Sequence, residues 1–209
     1  APQRARRWEK RGAPPYATDS LTVDGWAIAE QPYRSYEKGK NHETALLQGF
    51  NVHEADFFCM GVKVDAENYV EALRRLYGDG AEAAAAAFPP KEQEPFSRYL
   101  IDPGGTAKGS YDLCVSAAWF AYSHRCWAEL LSQQKVPVYT YYFTKENKGL
   151  GSNHAGELPY FYGNLHSFPS NYDSSDAVLE KTMLTYYVNF IKTGDPNGTG
   201  LPRWQTALE

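Results

Sequence analysis

Two short, almost unbroken apolar runs interrupt a chain otherwise patterned for helices and loops. Residues 136–143, with Val136, Val138, Tyr139, Tyr141, Tyr142 and Phe143, read as a buried strand. Residues 43–51, centred on Leu46, Leu47 and Phe50, read as a second strand that Gly49 and Asn51 help to terminate. Elsewhere the period is helical. Tyr69, Ala72, Leu73 and Leu76 share one side of a helix predicted over residues 65–77, with Asp65 as its cap, and Gly78 and Gly80 break it. The run Ala83 to Ala87 predicts a second short helix, stopped by Pro89 and Pro90.

Residues 102–110 read as a glycine-containing loop. They lack the Lys that a phosphate-binding loop requires after its last glycine, since Ser110 follows Gly109. A long helix follows over residues 111–131, with Leu113, Ala117, Phe120, His124, Trp127 and Leu131 on its apolar side. A last helix spans residues 175–191 and the chain closes on a turn-rich stretch from Thr193 to Trp204. Residues 1–20 are polar, carry Pro14 and Pro15, and read as a linker or frayed segment. Residues 21–26 read as a short extended piece. Two strands separated by helices and long loops fit an α/β protein. Parallel strands need neighbours and helical cover on both faces, so the sheet is expected to be completed by residues outside this chain.

Composition narrows the function classes. The formal net charge is −4 with charges of both signs spread along the chain, which leaves no electrostatic case for nucleic acid or an anionic membrane. No stretch has the length of a membrane span and no signal peptide opens the chain, whose basic first residues look internal to something longer. The cellular compartment is left open. Cys114 and Cys126 lie twelve positions apart on one predicted helix, roughly 18 Å at the helical rise, too far to bond. Cys59 could pair with one of them only if the fold brings the two together, and otherwise all three read as buried free thiols.

The candidate chemistry lies just beyond the strand at residues 136–143. His154 sits on a loop framed by Gly151 and Gly156, placed where a histidine can carry protons into a cleft. His42, His53, His124 and His166 have no comparable setting and read as structural. A base of this kind needs an orienting acid and a nucleophile. Glu54 and Asp56, just past the other strand, are both placed to be the acid. Tyr160, Phe161 and Tyr162 are candidates either to line a substrate pocket or to pack under the loop, and Glu157 to fix the loop's conformation. Asn197 with Thr199 is formally a glycosylation sequon, but its setting between Pro196 and Gly198 reads first as a turn. No metal-ligand spacing and no cofactor motif occurs.

Taken in order, several stretches carry a resemblance. They are Val23-Asp24-Gly25 with Pro32, Gly39-Lys40-Asn41, residues 46–51 with Glu54, and residues 137–143. They continue with Gly151, His154, Glu157, Leu158, Tyr160 and Gly163, then Tyr187 to Phe190 with Thr193 to Asn197. From about Leu21 to Trp204 the chain resembles the C-terminal half of a type-B carboxylesterase, the cholinesterase-like, para-nitrobenzyl esterase-like branch of the α/β-hydrolases. The resemblance implies a serine, a carboxylate and a histidine in that chain order. It assigns the acid to Glu54 and the base to His154, with Ala55 standing where the family usually has glycine. Residues 21–209 would then be the C-terminal part of one α/β-hydrolase domain. These residues contain neither a Gly-x-Ser-x-Gly elbow nor a His-Gly-Gly stretch. The resemblance therefore implies that serine and oxyanion donors come from an N-terminal portion, as a second chain or a separate fragment. The substrate would be a small-molecule carboxylic ester and no cofactor would be needed. The rival reading is a non-catalytic interaction module of the same fold.

Overall fold

The computed structural model describes residues 22–92 and 104–207. The linker expected over residues 1–20 lies outside them. The described residues divide into two compact units, one built on Ala55–Trp119 and the other on Glu30–Glu54 with residues 120–207.

The second unit carries the sheet. Strand β1 (Leu46–Asn51) pairs in parallel with β2 (Val138–Phe143), in a register that sets Leu46 opposite Val138 and Asn51 opposite Phe143. Both strands are shorter than their apolar runs, because pairing begins only at Leu46 and Val138. The close approach is sharpest at Gly49, whose partner is Tyr141. A Cβ there would meet the Tyr141 ring at 2.3 Å, so the ring lies flat over the bare glycine. Among the described residues, helices that attend the sheet include α1 (Pro32–Glu37), which the sequence reading did not anticipate, α5 (Tyr122–Gln133) and α7 (Ser174–Thr193). Ala128, Leu131 and Val138 bury one core with Tyr36, Leu46 and Trp127 against it. Phe143, Tyr160 and Leu165 bury another with Leu179 and Met183.

The start of α7 is set by a capping box. The Asp173 carboxylate accepts from the N–H groups of Ser175 and Asp176, while Asp176 reaches back to the Asp173 N–H. Gly194 ends the helix in the left-handed conformation. Beyond it, Asn197 donates through its side chain to Asp195 and to the Trp204 carbonyl and accepts from the Trp204 N–H. The sequon asparagine therefore serves as the lock of a turn.

In the first unit, α2 (Tyr69–Tyr77) and α3 (Ala81–Ala87) pack Tyr69, Leu73 and Ala81 against Val64, Ala107 and Cys114. Asp65 is not the helix cap. Its carboxylate is taken by the Thr106 N–H and Lys63, and the helix begins after Asn68. Helix α4 (Lys108–Ser116) starts inside the stretch read as loop, and it buries the Lys108–Asp112 ion pair, 2.5 Å apart. The long helix expected over residues 111–131 is accordingly divided. A π-helical turn, Ala117–Ala121, follows α4 and precedes α5. The chain stays helical through this turn, and residues 117–121 carry no Gly or Pro to mark it, which is why the pattern concealed it. All three cysteines are free, Cys59 and Cys114 buried and Cys126 half-buried.

Candidate active site

Both strands end at the same edge, because they run parallel. In open α/β sheets the crevice outside the carboxyl ends of the strands is where ligands are held. The loop after β1 delivers Glu54 there and the loop after β2 delivers His154. The two loops continue the strand pairing for a step: the Val52 N–H donates to the Phe143 carbonyl at 3.2 Å and the His53 N–H to the Ser152 carbonyl at 3.0 Å. A hundred positions of sequence separation thus close to a hydrogen bond. Glu54 Oε2 lies 2.6 Å from His154 Nδ1.

The two partners sit in different surroundings. The Glu54 side chain is only 6% exposed and that of His154 is 46% exposed. The other carboxylate oxygen, Oε1, accepts from the Asn51 N–H at 2.8 Å, so Glu54 is held from both sides. The Phe120 ring stands 5.6 Å from the imidazole, centroid to centroid.

The loop bearing His154 is built from inside. Asn147 accepts from the N–H groups of Gly149 and Gly151 and donates to the Tyr160 hydroxyl. Ser152 donates to Glu146. The chain then turns sharply: the Gly156 N–H donates to the Asn153 carbonyl at 2.8 Å, and a Cβ on Gly156 would fall 2.1 Å from the Gly151 carbonyl oxygen. Ala155, directly after the histidine, is held at φ 66°, a conformation that a side chain disfavours. Asn51 crosses to this loop. Its side-chain Nδ2 donates to the Asn153 carbonyl at 2.6 Å and to Glu157 Oε2. Glu157 Oε1 in turn accepts from the Tyr141 hydroxyl at 3.3 Å. Burial first, and then the Glu157 carboxylate, push the Tyr141 phenol well above its usual range.

The remaining sequence candidates fall around this pair. Asp56 is buried two residues beyond Glu54, and the His154 Nδ1 partner is Glu54. Tyr160 is fully buried, donates to Asp176 at 2.6 Å and packs on Phe143 and Tyr172. Phe161 is buried between Tyr141 and Tyr187. Tyr162, by contrast, is exposed. The sequence reading passed over Asn51, seen there only as a strand terminator, and Asn147, whose position two residues before a glycine signalled a side-chain turn.

Known proteins share the fold that carries these residues. A PNB esterase structure superposes with a TM-score of 0.65 at 22% identity, covering 88% of this chain and 36% of its own. A carboxylesterase of Geobacillus stearothermophilus superposes at 0.67, also at 22% identity, covering 88% of this chain and 38% of its own. At that identity the likeness carries the fold, an α/β-hydrolase of which this chain spans part. Among curated relatives, bile salt-activated lipase of Homo sapiens is 36% identical over 78 residues, 37% of this chain and 9% of the lipase. Neuroligin-3 of Mus musculus is 33% identical over 198 residues, 84% of this chain and 24% of the relative. The chain thus spans a quarter or less of the length of these two relatives. The sequence profile of the carboxylesterase family matches from residue 3 to residue 209, which takes in every element described above, and the chain belongs to that family.

Proposed function

We propose that this chain supplies the acid and the base of a serine carboxylic-ester hydrolase, with Glu54 orienting His154. The observation that carries the reading is the 2.6 Å contact between Glu54 Oε2 and His154 Nδ1, made by a buried carboxylate to a half-exposed imidazole. A carboxylate accepting the Nδ1 proton fixes the tautomer whose Nε2 is basic and stabilises the imidazolium that forms. The serine and the oxyanion donors would come from an N-terminal portion of the hydrolase. The exposed side chain of Tyr142 on β2 and the half-buried ones of Leu46, Leu47 and Phe50 on β1 support that arrangement, because a parallel pair ordinarily has both faces covered.

The chemistry is acyl transfer. As the serine oxygen attacks the ester carbonyl carbon, its proton passes to His154 Nε2. The tetrahedral intermediate collapses with cleavage of the bond to the alcohol oxygen, which takes the proton from Nε2. A water then attacks the acyl-enzyme, giving its proton to Nε2, and the serine recovers it on release of the acid. Tyr160 and Phe161 would shape the pocket from behind. In the protein assembled with the N-terminal portion, His154→Ala should lower ester turnover by about four to six orders of magnitude. The protein should still fold, with a somewhat lower thermal midpoint, because the buried Glu54 carboxylate loses one of its two donors. Turnover near that of the parent would overturn the assignment.

A second reading, a non-catalytic interaction module on the same fold, is favoured by the neuroligin-3 match, which covers 84% of this chain. A serine-directed phosphonate separates the two. A hydrolase would be labelled on the N-terminal portion, and an interaction module would not be labelled.

A further inference from the structure

We propose that Asn51 is a positioning residue that holds Glu54 and the His154 loop in register with each other. The inference rests on the reading of that pair as acid and base. One residue touches both arms of the site: its backbone N–H donates to Glu54 Oε1, and its side-chain Nδ2 donates to the carbonyl of Asn153, the residue before His154. The second Nδ2 proton goes to Glu157, three residues after His154. Because both Nδ2 partners are acceptors, the orientation of the amide is fixed, and neither an aspartate nor an aliphatic side chain can replace it. Asn51 is 1% exposed and Asn153 fully buried, so water does not substitute readily for the lost donor. Glu157 closes the clamp by accepting from the Tyr141 hydroxyl on β2. The fold does not depend on this clamp alone, since the His53 N–H still ties the two loops through the Ser152 carbonyl. What the clamp adds is the height of the imidazole over the strand ends, the coordinate to which proton transfer is most sensitive.

The test uses the assembled protein. Asn51→Ala should lower kcat about a hundredfold with KM changed by no more than about threefold, the pattern of a misplaced catalytic group rather than a lost binding contact. Asn51→Asp, which sets a carboxylate against Glu157 and the Asn153 carbonyl, should lose more than Asn51→Ala. Adding Glu157→Gln should recover part of that loss by restoring a donor. The His154 Nδ1–H proton resonance, which His154→Ala removes, should shift or broaden in both Asn51 variants. A resonance unmoved in both, or kcat within about threefold of the parent, would overturn the role of Asn51. Should His154→Ala retain turnover, the assignment of the pair fails by itself, and the Nδ1–H resonance still decides whether Asn51 positions the loop.

Discussion

Replacing Glu54 by glutamine tests the acid without changing its shape. In the parent, Oε2 accepts from His154 Nδ1 at 2.6 Å and Oε1 from the Asn51 N–H at 2.8 Å, both at a side chain 6% exposed. A glutamine has two ways to fit. If its oxygen stays on the Asn51 N–H, its amide N–H₂ faces Nδ1, which must become an acceptor. The imidazole proton then moves to Nε2 and the base is lost. If the amide is flipped, its oxygen serves Nδ1 but two donors oppose each other at Asn51, which costs about 1–3 kcal/mol for a buried unsatisfied N–H. The first arrangement therefore prevails, and the productive tautomer falls by about 5- to 150-fold. The lost carboxylate charge no longer stabilises the imidazolium. Together these predict a fall in kcat/KM of about 10⁴, equivalent to about 5.5 kcal/mol. The assay is turnover of a soluble aryl ester by the assembled protein, with ¹⁵N chemical shifts of His154 reporting the tautomer. A fall of less than about tenfold, or an imidazole still protonated at Nδ1 in Glu54→Gln, would refute the reasoning.

Two further predictions concern the frame that holds the site. Gly49→Ala ought to gain about 0.5–1 kcal/mol from strand conformational entropy, but its Cβ would sit 2.3 Å from the Tyr141 ring. Overpacking of that severity costs about 1–3 kcal/mol and wins, so urea unfolding should show a less stable protein; a gain in stability would contradict the stacked geometry. At alkaline pH, burial raises the phenols of Tyr36, Tyr77 and Tyr111 from 10.0 to about 12, and raises those of Tyr69, Tyr141 and Tyr160 as well. Below pH 10 both folded and unfolded chains keep these protons. Above it the unfolded chain loses them first, binds fewer protons than the folded one, and stability falls as pH climbs toward 12. Guanidinium unfolding across that window, followed with phenolate absorbance, should show the loss, and a flat profile would contradict the burial of these rings.

How much of this was legible in the sequence follows from where the forces act. The strands were readable because Val138, Tyr139, Leu46 and Leu47 lie in short apolar runs too compact for a helix, and their core ends fell close to the expected limits. His154 stood out by its glycine-framed loop, but Glu54 was preferred to Asp56 only through a resemblance, since nothing local distinguishes a buried carboxylate from a solvated one. The polar residues that were misread have partners that the chain order hides. Asp65 and Asn51 are polar residues whose roles are set by partners far along the chain: Thr106, 41 positions on, for Asp65, and Asn153, 102 positions on, for Asn51. Lys108 appeared to belong to a solvated loop because its partner Asp112 becomes a neighbour only once the helix has formed and is buried.

The same distinction separates what packs from what positions in the loop after β2. Tyr160 and Phe161 follow His154 closely and are aromatic, which invites a substrate-facing reading, yet their rings are buried against Phe143, Tyr172, Tyr141 and Tyr187. Tyr160 even spends its hydroxyl inward, on Asp176, which Lys145 approaches at 3.2 Å. These contacts anchor α6 (Leu158–Phe161) beneath the loop and leave His154 as the exposed member of a stretch in which Gly151, Ser152, Asn153 and Gly156 are all buried. A loop so anchored has little freedom to let its histidine wander. The strained backbone at Ala155 persists because the turn at Gly156 and the bonds from Asn51 and Asn147 over-determine it. Rigidity of the support and exposure of a single imidazole are the two properties the proposed proton carrier needs, and both come from the same buried polar residues that sequence patterning is least able to see.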